Sequence, residues 1–322
     1  MKTNNKVLSL REAFSEVDWH SPNTHVFFNV QVIGVGWFIW LLFSKIFSLS
    51  PLASSNLHTI FLMIIARYFI GMWFVTVWRH RFFAHQSFRV HPWLKWVIPI
   101  IAFICSADAQ RGICQWAADH IWHHKHSDKP EDVHSCKQKG FSWCHWLWVV
   151  KSDDQQGIKW SLIPHLNKMR SVRWIENRQW IGVVVGGVLF SLIGSLLSVG
   201  GFHSFMANFL FSLCGYFFST TLLWHGTFMI NSAMHLVGKQ KYDTGDESRN
   251  SFITAFLTLG EGWHNNHHYH FPSLAQAQKR AGSLKRGKSE LYWQGETFFE
   301  KCFDWSGISI WLLTKLGILR AL

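Results

Sequence analysis

The sequence predicts an all-α integral membrane protein with four transmembrane helices. Three observations carry that prediction: four apolar runs of bilayer length, a one-sided distribution of basic residues, and histidine clusters that all fall on the basic side.

A span needs about 20 mostly apolar residues. Such runs cover about 26–43, 57–78, 180–201 and 205–224. A fifth run, Leu94 to Ala107, is shorter and carries Pro99, so an interfacial or buried segment is expected there. Four crossings place 1–25, 79–179 and 225–322 on one side. That side holds 29 of the 31 Lys and Arg residues. Lys45 lies on the other side and Arg67 within the second run. Basic loops stay inside, so the large side is predicted to be cytosolic. A fifth span would divide the basic loops between the two faces. Residues 1–322 are expected to form a single domain.

The net charge of +12 follows from this topology, and no nucleic-acid partner is needed to explain it. Membrane lipid is the expected neighbour, and the 20 Trp residues suit a membrane interface. The basic run KRAGSLKRGK (279–288) reads as solvated or facing lipid headgroups. The tail ISIWLLTKLGILRAL reads as an interfacial amphipathic helix or one packed on the cytosolic portion. Six cysteines without a CxxC pair read as reduced, packed thiols. The polar N-terminus shows no cleavable signal peptide, so a bacterial inner membrane and an endoplasmic reticulum membrane both fit. Gly34 and Gly36 of GVGWFI lie in the first span without a third glycine, which suggests helix packing rather than dinucleotide binding.

The chemistry lies in the histidines. HRFFAH supplies His80 and His85, HIWHH supplies His120, His123 and His124, and HNNHH supplies His264, His267 and His268. NSAMH adds Asn231 and His235. Composition alone predicts only about 0.08 copies of HxxHH in this chain, a measure of the false-positive risk, and there are two. Imidazole ligates Zn, Cu, Fe and Ni. Nine imidazoles are too many for one ion and suit two. HxxHH places one ligand a turn before an adjacent pair, so a single helix can reach both ions. Carboxylates must then orient ring N–H groups from behind. Asp119 and Glu261 are the preferred candidates among Asp119, Asp128, Glu131, Asp132, Asp243, Glu247 and Glu261. Taken alone, His80 with His85 reads as an interfacial pair, and Asn231 as a helix cap.

HRFFAHQSF, WAADHIWHHKHSD, GFSWCHWLW, NSAMHLVG and GEGWHNNHHYHFP occur here in the order found in membrane-bound fatty acid desaturases, which this chain resembles over about residues 75–273. It is most similar to the acyl-CoA delta-9 branch. The resemblance implies a helical cytosolic cap carrying a di-iron site. His80, His85, His120, His123, His124, His235, His264, His267 and His268 would hold two iron ions (Fe2+/Fe3+), and Asn231 would contact one through water. It also implies O2-dependent insertion of a cis double bond, at the delta-9 position, into a saturated acyl chain, with acyl-CoA as the favoured carrier. Trp116 would contact the substrate. The resemblance calls for an external electron donor, and with no HPGG motif in the chain a separate ferredoxin or cytochrome b5 type of protein is expected. Close relatives carry Arg where this chain has Ile121, and the animal acyl-CoA enzymes carry Arg where it has Ala118. Both losses remove cations expected near the headgroup, which brings an acyl-lipid or acyl-carrier-protein substrate into consideration.

The competing readings are a di-iron lipid hydroxylase or ketolase, a histidine-rich membrane metal transporter, and a bis-histidine haem cytochrome. The last two want ionisable or ligating residues within the spans, and Arg67 is the clear intramembrane charge here. Double-bond position, chain length and oligomeric state are not legible.

Overall fold

A computed structural model describes residues 7–46, 57–106, 111–151, 157–176, 178–197, 202–270 and 293–320. The basic run at 279–288, Ala107 and the end of the third apolar run lie outside the described residues.

Helix α1 (Leu10–Ser15) opens on a capping box between Ser9 and Glu12. Helix α2 (Pro22–Ile46) is the first long apolar helix. Helix α3 (Leu57–Trp73) is the second, and it continues without a break as a π-helix over Phe74–Ala84. Helix α4 (Leu94–Cys105) follows, then α5 (Ile113–His126). Four short helices come next: α6 (Cys136–Lys139), α7 (Phe141–His145), α8 (Pro164–Asn167) and α9 (Arg170–Ile175). The remaining long helices are α10 (Gln179–Leu196) and α11 (Phe202–Asn231). The chain ends in α12 (Phe252–Leu257), α13 (His264–His270), α14 (Phe298–Cys302) and α15 (Trp305–Lys315). Strand β1 (Arg89–Val90) pairs antiparallel with β2 (Leu319–Arg320), tying the C-terminus to the segment after the π-helix.

Among the described residues four helices are long and apolar enough to cross a membrane, and the protein is an all-α membrane protein. Their outer faces expose large aliphatic side chains, among them Val32, Leu62, Leu189 and Leu210. Such faces are stable against lipid, not water. Helix α11 packs against α2, α3 and α10 and is the centre of the bundle. A Cβ on Gly34 would stand 2.6 Å from the backbone nitrogen of Phe218, so α2 and α11 approach as closely as glycine allows.

The spans differ from expectation mainly at their ends. Helix α11 runs on to Asn231, past the apolar stretch that ended at Trp224. The fifth run forms α4, whose 12 residues reach only about 18 Å at 1.5 Å per residue. It buries Leu94, Ile98 and Ala102 while exposing Trp96, Val97 and Ile100, so it is both interfacial and packed. Helix α15 likewise buries Ser306, Gly307 and Ile310 and exposes Trp311 and Leu312. The expectation of six reduced cysteines fails at one pair: Cys136 and Cys144 form a disulfide within the α6–α7 hairpin, while Cys114, Cys214 and Cys302 are thiols.

Candidate metal centre

The π-helix explains the first histidine pair. Residues five apart do not share a face of an α-helix, but they stand one turn apart where hydrogen bonds run from i to i+5. The backbone N–H of His85 donates to the carbonyl of His80 at 3.1 Å, and the two rings lie 4.7 Å apart. Helix α5 divides HxxHH. His120 and His124, one turn apart, face the first pair, while His123 faces away from it. Helix α13 mirrors this: His267 joins the first group, and His264 and His268 join the second.

Two groups result. His80, His85, His120, His124 and His267 form one, and His123, His235, His264 and His268 form the other, with ligand atoms in each within 4.8 Å of one another. These are the nine histidines singled out from the sequence. In the first group the Nε2 of His120 lies 3.0 Å from that of His80, 2.8 Å from that of His85 and 3.0 Å from that of His124. The Nε2 of His267 lies 2.9 Å from that of His124 and 3.2 Å from that of His80. One imidazole cannot donate to three others. Two nitrogens held at roughly 2.0–2.1 Å by one ion, at a right angle, lie about 3 Å apart. The spacing therefore fits nitrogens converging on a shared cation.

Carboxylates fix the ring orientations. Glu261 stands 2.7 Å from Nδ1 of His80, Asp132 2.9 Å from Nδ1 of His123, Asp128 3.0 Å from Nδ1 of His235, and Asp246 2.7 Å from Nδ1 of His268. A carboxylate on Nδ1 keeps the proton there and leaves the Nε2 lone pair free. In the second group Nε2 of His123 and Nε2 of His268 are buried with no hydrogen-bond partner among the described residues. Buried polar atoms are rarely left unpaired, so the donor set fits a cation of the kind imidazole ligates.

Burial holds His85, His120, His124, His264 and His267 well below the ordinary imidazole pKa, with neighbouring rings adding to the effect. Neutral rings are the form that ligates. Burial also opposes charge on His123, but Asp132 outweighs it and raises that pKa. Asp128, Asp132 and Asp246 are buried against ionisation, yet their histidine partners hold them well below the usual carboxylate range.

Of the two preferred carboxylates, Glu261 lies behind an imidazole and Asp119 faces elsewhere. Its Oδ2 lies 3.2 Å from Nη1 of Arg111, and its Oδ1 accepts from Gln115 at 3.0 Å. Asp246 was not anticipated: it sits on a loop after the last span, and no spacing rule links it to His268. Glu247 pairs with Lys137 at the surface. Ala118 and Ile121 are both buried in the core, so neither position opens onto an approach for a charged headgroup.

A cavity lined by Val75, Thr76, Trp116, Thr227, Ile230, Asn231 and Glu261 also takes in His80 and His120 of the first group and His123 and His264 of the second. Asn231 is thus brought beside both groups. Trp116 stacks flat on His120 at 5.0 Å, with the Arg79 guanidinium 5.4 Å from its ring. Helix α5 itself is capped from a distance. Gly112 has no side chain to offer, and Glu176 accepts from the N–H groups of Cys114 at 2.7 Å and Gln115 at 2.8 Å.

Residues 55–281 match the family model described as fatty acid desaturase. An sn-2 palmitoyl-lipid 9-desaturase of Nostoc sp. (strain 36) is 30% identical over 296 residues, 91% of this chain and 88% of that protein. An sn-1 stearoyl-lipid 9-desaturase of Synechocystis sp. is 32% identical over 195 residues, 60% of this chain and 56% of its own length. An icosanoyl-CoA 5-desaturase of Limnanthes douglasii is 32% identical over 201 residues, 62% of this chain and 52% of its own length.

Proposed function

The chain belongs to the fatty acid desaturase family, and from that premise we propose that it is an O2-dependent, two-iron desaturase that places a cis double bond at the delta-9 position of a glycerolipid-bound acyl chain. That it is an oxidoreductase acting on fatty acyl chains follows from the family.

The observation that carries this proposal is the division of nine histidines into groups of five and four, both of which line one cavity. His80, His85, His120, His124 and His267 would hold one ion, and His123, His235, His264 and His268 the other, with Asn231 reaching one through water. When bound, such ions supply the oxidising power that an unactivated C–H bond demands. Redox-inert zinc could not supply it, and iron suits an imidazole set. The chain's own residues do the rest. Trp116 stiffens His120 by stacking and offers the acyl chain an apolar wall. Val75, Thr227 and Ile230 line the same cavity and keep bulk water from the reacting carbons. Glu261, Asp128, Asp132 and Asp246 hold ring protons on Nδ1.

A glycerolipid carrier is proposed in place of the CoA thioester favoured from sequence. The relative that covers 91% of the chain is named for a lipid substrate, and the buried positions of Ala118 and Ile121 supply no cation for CoA phosphates. The basic bias of the histidine-bearing side supports a cytoplasmic active site, in a bacterial inner membrane or the endoplasmic reticulum. Electrons would come from a separate ferredoxin- or cytochrome-b5-type protein.

The test is the fatty-acid profile of an aerobic host that lacks its own delta-9 desaturase and expresses the chain or its His124→Ala variant. The reading expects a new monounsaturated acid, unsaturated at carbon 9 and recovered from the lipid fraction, that the variant does not make. An oxygenated product from protein that still holds iron would move the assignment to a hydroxylase.

A further inference from the structure

A second cavity lies on the lipid-facing side of the bundle. It is a groove of about 660 Å³ lined by Phe69, Ile70 and Trp73 of α3, by Phe74 just after it, by Phe256 of α12 with Leu259 just beyond, and by Trp305 of α15. Every lining side chain is apolar. Ile70, Phe256 and Trp305 are 53%, 47% and 47% exposed. One side of the groove belongs to the end of a span and the other to α12 and α15 of the cytosolic portion, so the groove opens where hydrocarbon meets the interface. Trp305 and the exposed Trp311 on α15 are the kind of residue that marks the headgroup level.

The groove and the metal cavity share one thin wall. Phe74 lines the groove, and the next residues, Val75 and Thr76, line the metal cavity. Leu259 lines the groove, and Glu261, two residues on, lines the metal cavity. The wall is filled by Met72, Val75 and Leu223, with Tyr68 and Leu259 packed against them. It is also where the backbone is strained. Leu259 has φ of +55°, a region that bulky L-residues avoid and that tends to persist at clamps and switches. Its carbonyl is held by the N–H of Ser306 at 3.0 Å, and the Tyr68 hydroxyl donates to the carbonyl of Leu257 at 3.0 Å. Thr76 and Ser306 share a 2.6 Å hydrogen bond across the same seam.

We propose that the groove between α3, α12 and α15 is a lateral doorway through which the acyl chain of a bilayer glycerolipid reaches the metal cavity, with Leu259 as its gate. This rests on the reading that the cavity desaturates acyl chains. A glycerolipid carries its headgroup in the interface and cannot leave the membrane without exposing two apolar chains to water. Side-on access avoids that cost. A thioester arriving from water has no need of the groove, so the doorway sets the carrier class.

The full chain is reconstituted in phosphatidylcholine vesicles doped with a phosphatidylcholine bearing a diazirine on one acyl chain, then photolysed and mapped by peptide mass spectrometry. The doorway predicts lipid adducts on Val75 and Thr76, behind the wall, as well as on lipid-facing Leu189 of α10. Leu259→Trp or Ile70→Trp fills the groove and should cut the inner adducts at least tenfold while leaving the Leu189 adduct unchanged. Leu259→Gly relieves the backbone and should label the inner positions at least as strongly as wild type, which separates gating from misfolding. No inner adduct in wild type, or equal inner labelling in both Trp variants, overturns the doorway. Turnover is read in parallel with an electron donor supplied. Inner adducts without any double bond would sink the desaturase reading and leave the doorway standing. Lipid double bonds without inner adducts would do the reverse.

Discussion

Nδ1 of His80 stands 2.7 Å from Glu261, whose other oxygen lies 3.0 Å from Arg81, and Arg81 in turn lies 2.8 Å from Asp304 at the start of α15. A buried chain of charge thus runs from the first histidine to the C-terminal helix. Burial opposes ionisation of Glu261, but His80 and Arg81 outweigh it and hold its pKa at about 2. Glu261→Gln removes the charge that fixes the His80 tautomer. Losing such a partner typically costs about 10–100-fold in metal affinity. Metal titration of the purified protein should show that loss for Glu261→Gln, whereas Asp119→Asn, which alters a contact with Arg111, should stay within about twofold. Equal losses would contradict the assignment.

The two groups sit in unequal fields. The group of four is backed by Asp128, Asp132 and Asp246, and the group of five by Glu261 through His80. More negative charge behind neutral imidazoles binds a cation more tightly. Chelation should therefore remove metal in two phases, with the group of five emptied first. Asp246→Asn should quicken the slow phase alone. A single phase, or a faster early phase in that variant, would count against it.

Helix α5 depends on a borrowed cap, and that cap titrates. Burial pushes Glu176 up to about 7 despite the N–H groups it accepts. A carboxyl raised in the folded state favours folding fully below its unfolded value of 4.5, and that contribution is lost as pH rises through about 7. The stability of wild type should thus fall between pH 5 and 8 relative to Glu176→Gln, by up to about 3 kcal/mol. Denaturant midpoints in detergent measure it, and parallel curves for the two proteins would refute it.

Gly34 faces the backbone of Phe217 and Phe218. Gly34→Val would force α2 away from α11, at a cost of roughly 1–3 kcal/mol. Gly36→Val, where a Cβ meets nothing within 4 Å, should leave the melting temperature nearly unchanged. Similar shifts for both would argue that α2 and α11 do not pack as described.

Much of the site is legible in the sequence because imidazole is scarce and its spacing is specific. HxxHH divides between two groups on both α5 and α13, as one face carrying positions i, i+3 and i+4 allows. The pair HxxxxH looked weak because five residues do not close an α-helical turn, and only the π-helix makes them neighbours. Asp128, Asp132 and Asp246 could not be ranked ahead of Asp119, because loops bring them in. Asp128 has φ of +58°, a backbone turn that hydrophobic periodicity does not encode. Spacing likewise gave no sign that Cys136 and Cys144, eight residues apart, would meet across a hairpin turned by Gly140.

Nine histidines make two metal positions, and iron counted per chain by plasma mass spectrometry in wild type, His85→Ala and His264→Ala decides it. Wild type should hold two irons and each variant about one, retained in the group of four after His85→Ala and in the group of five after His264→Ala. One iron or none in wild type, or loss of all iron from either single variant, would contradict it.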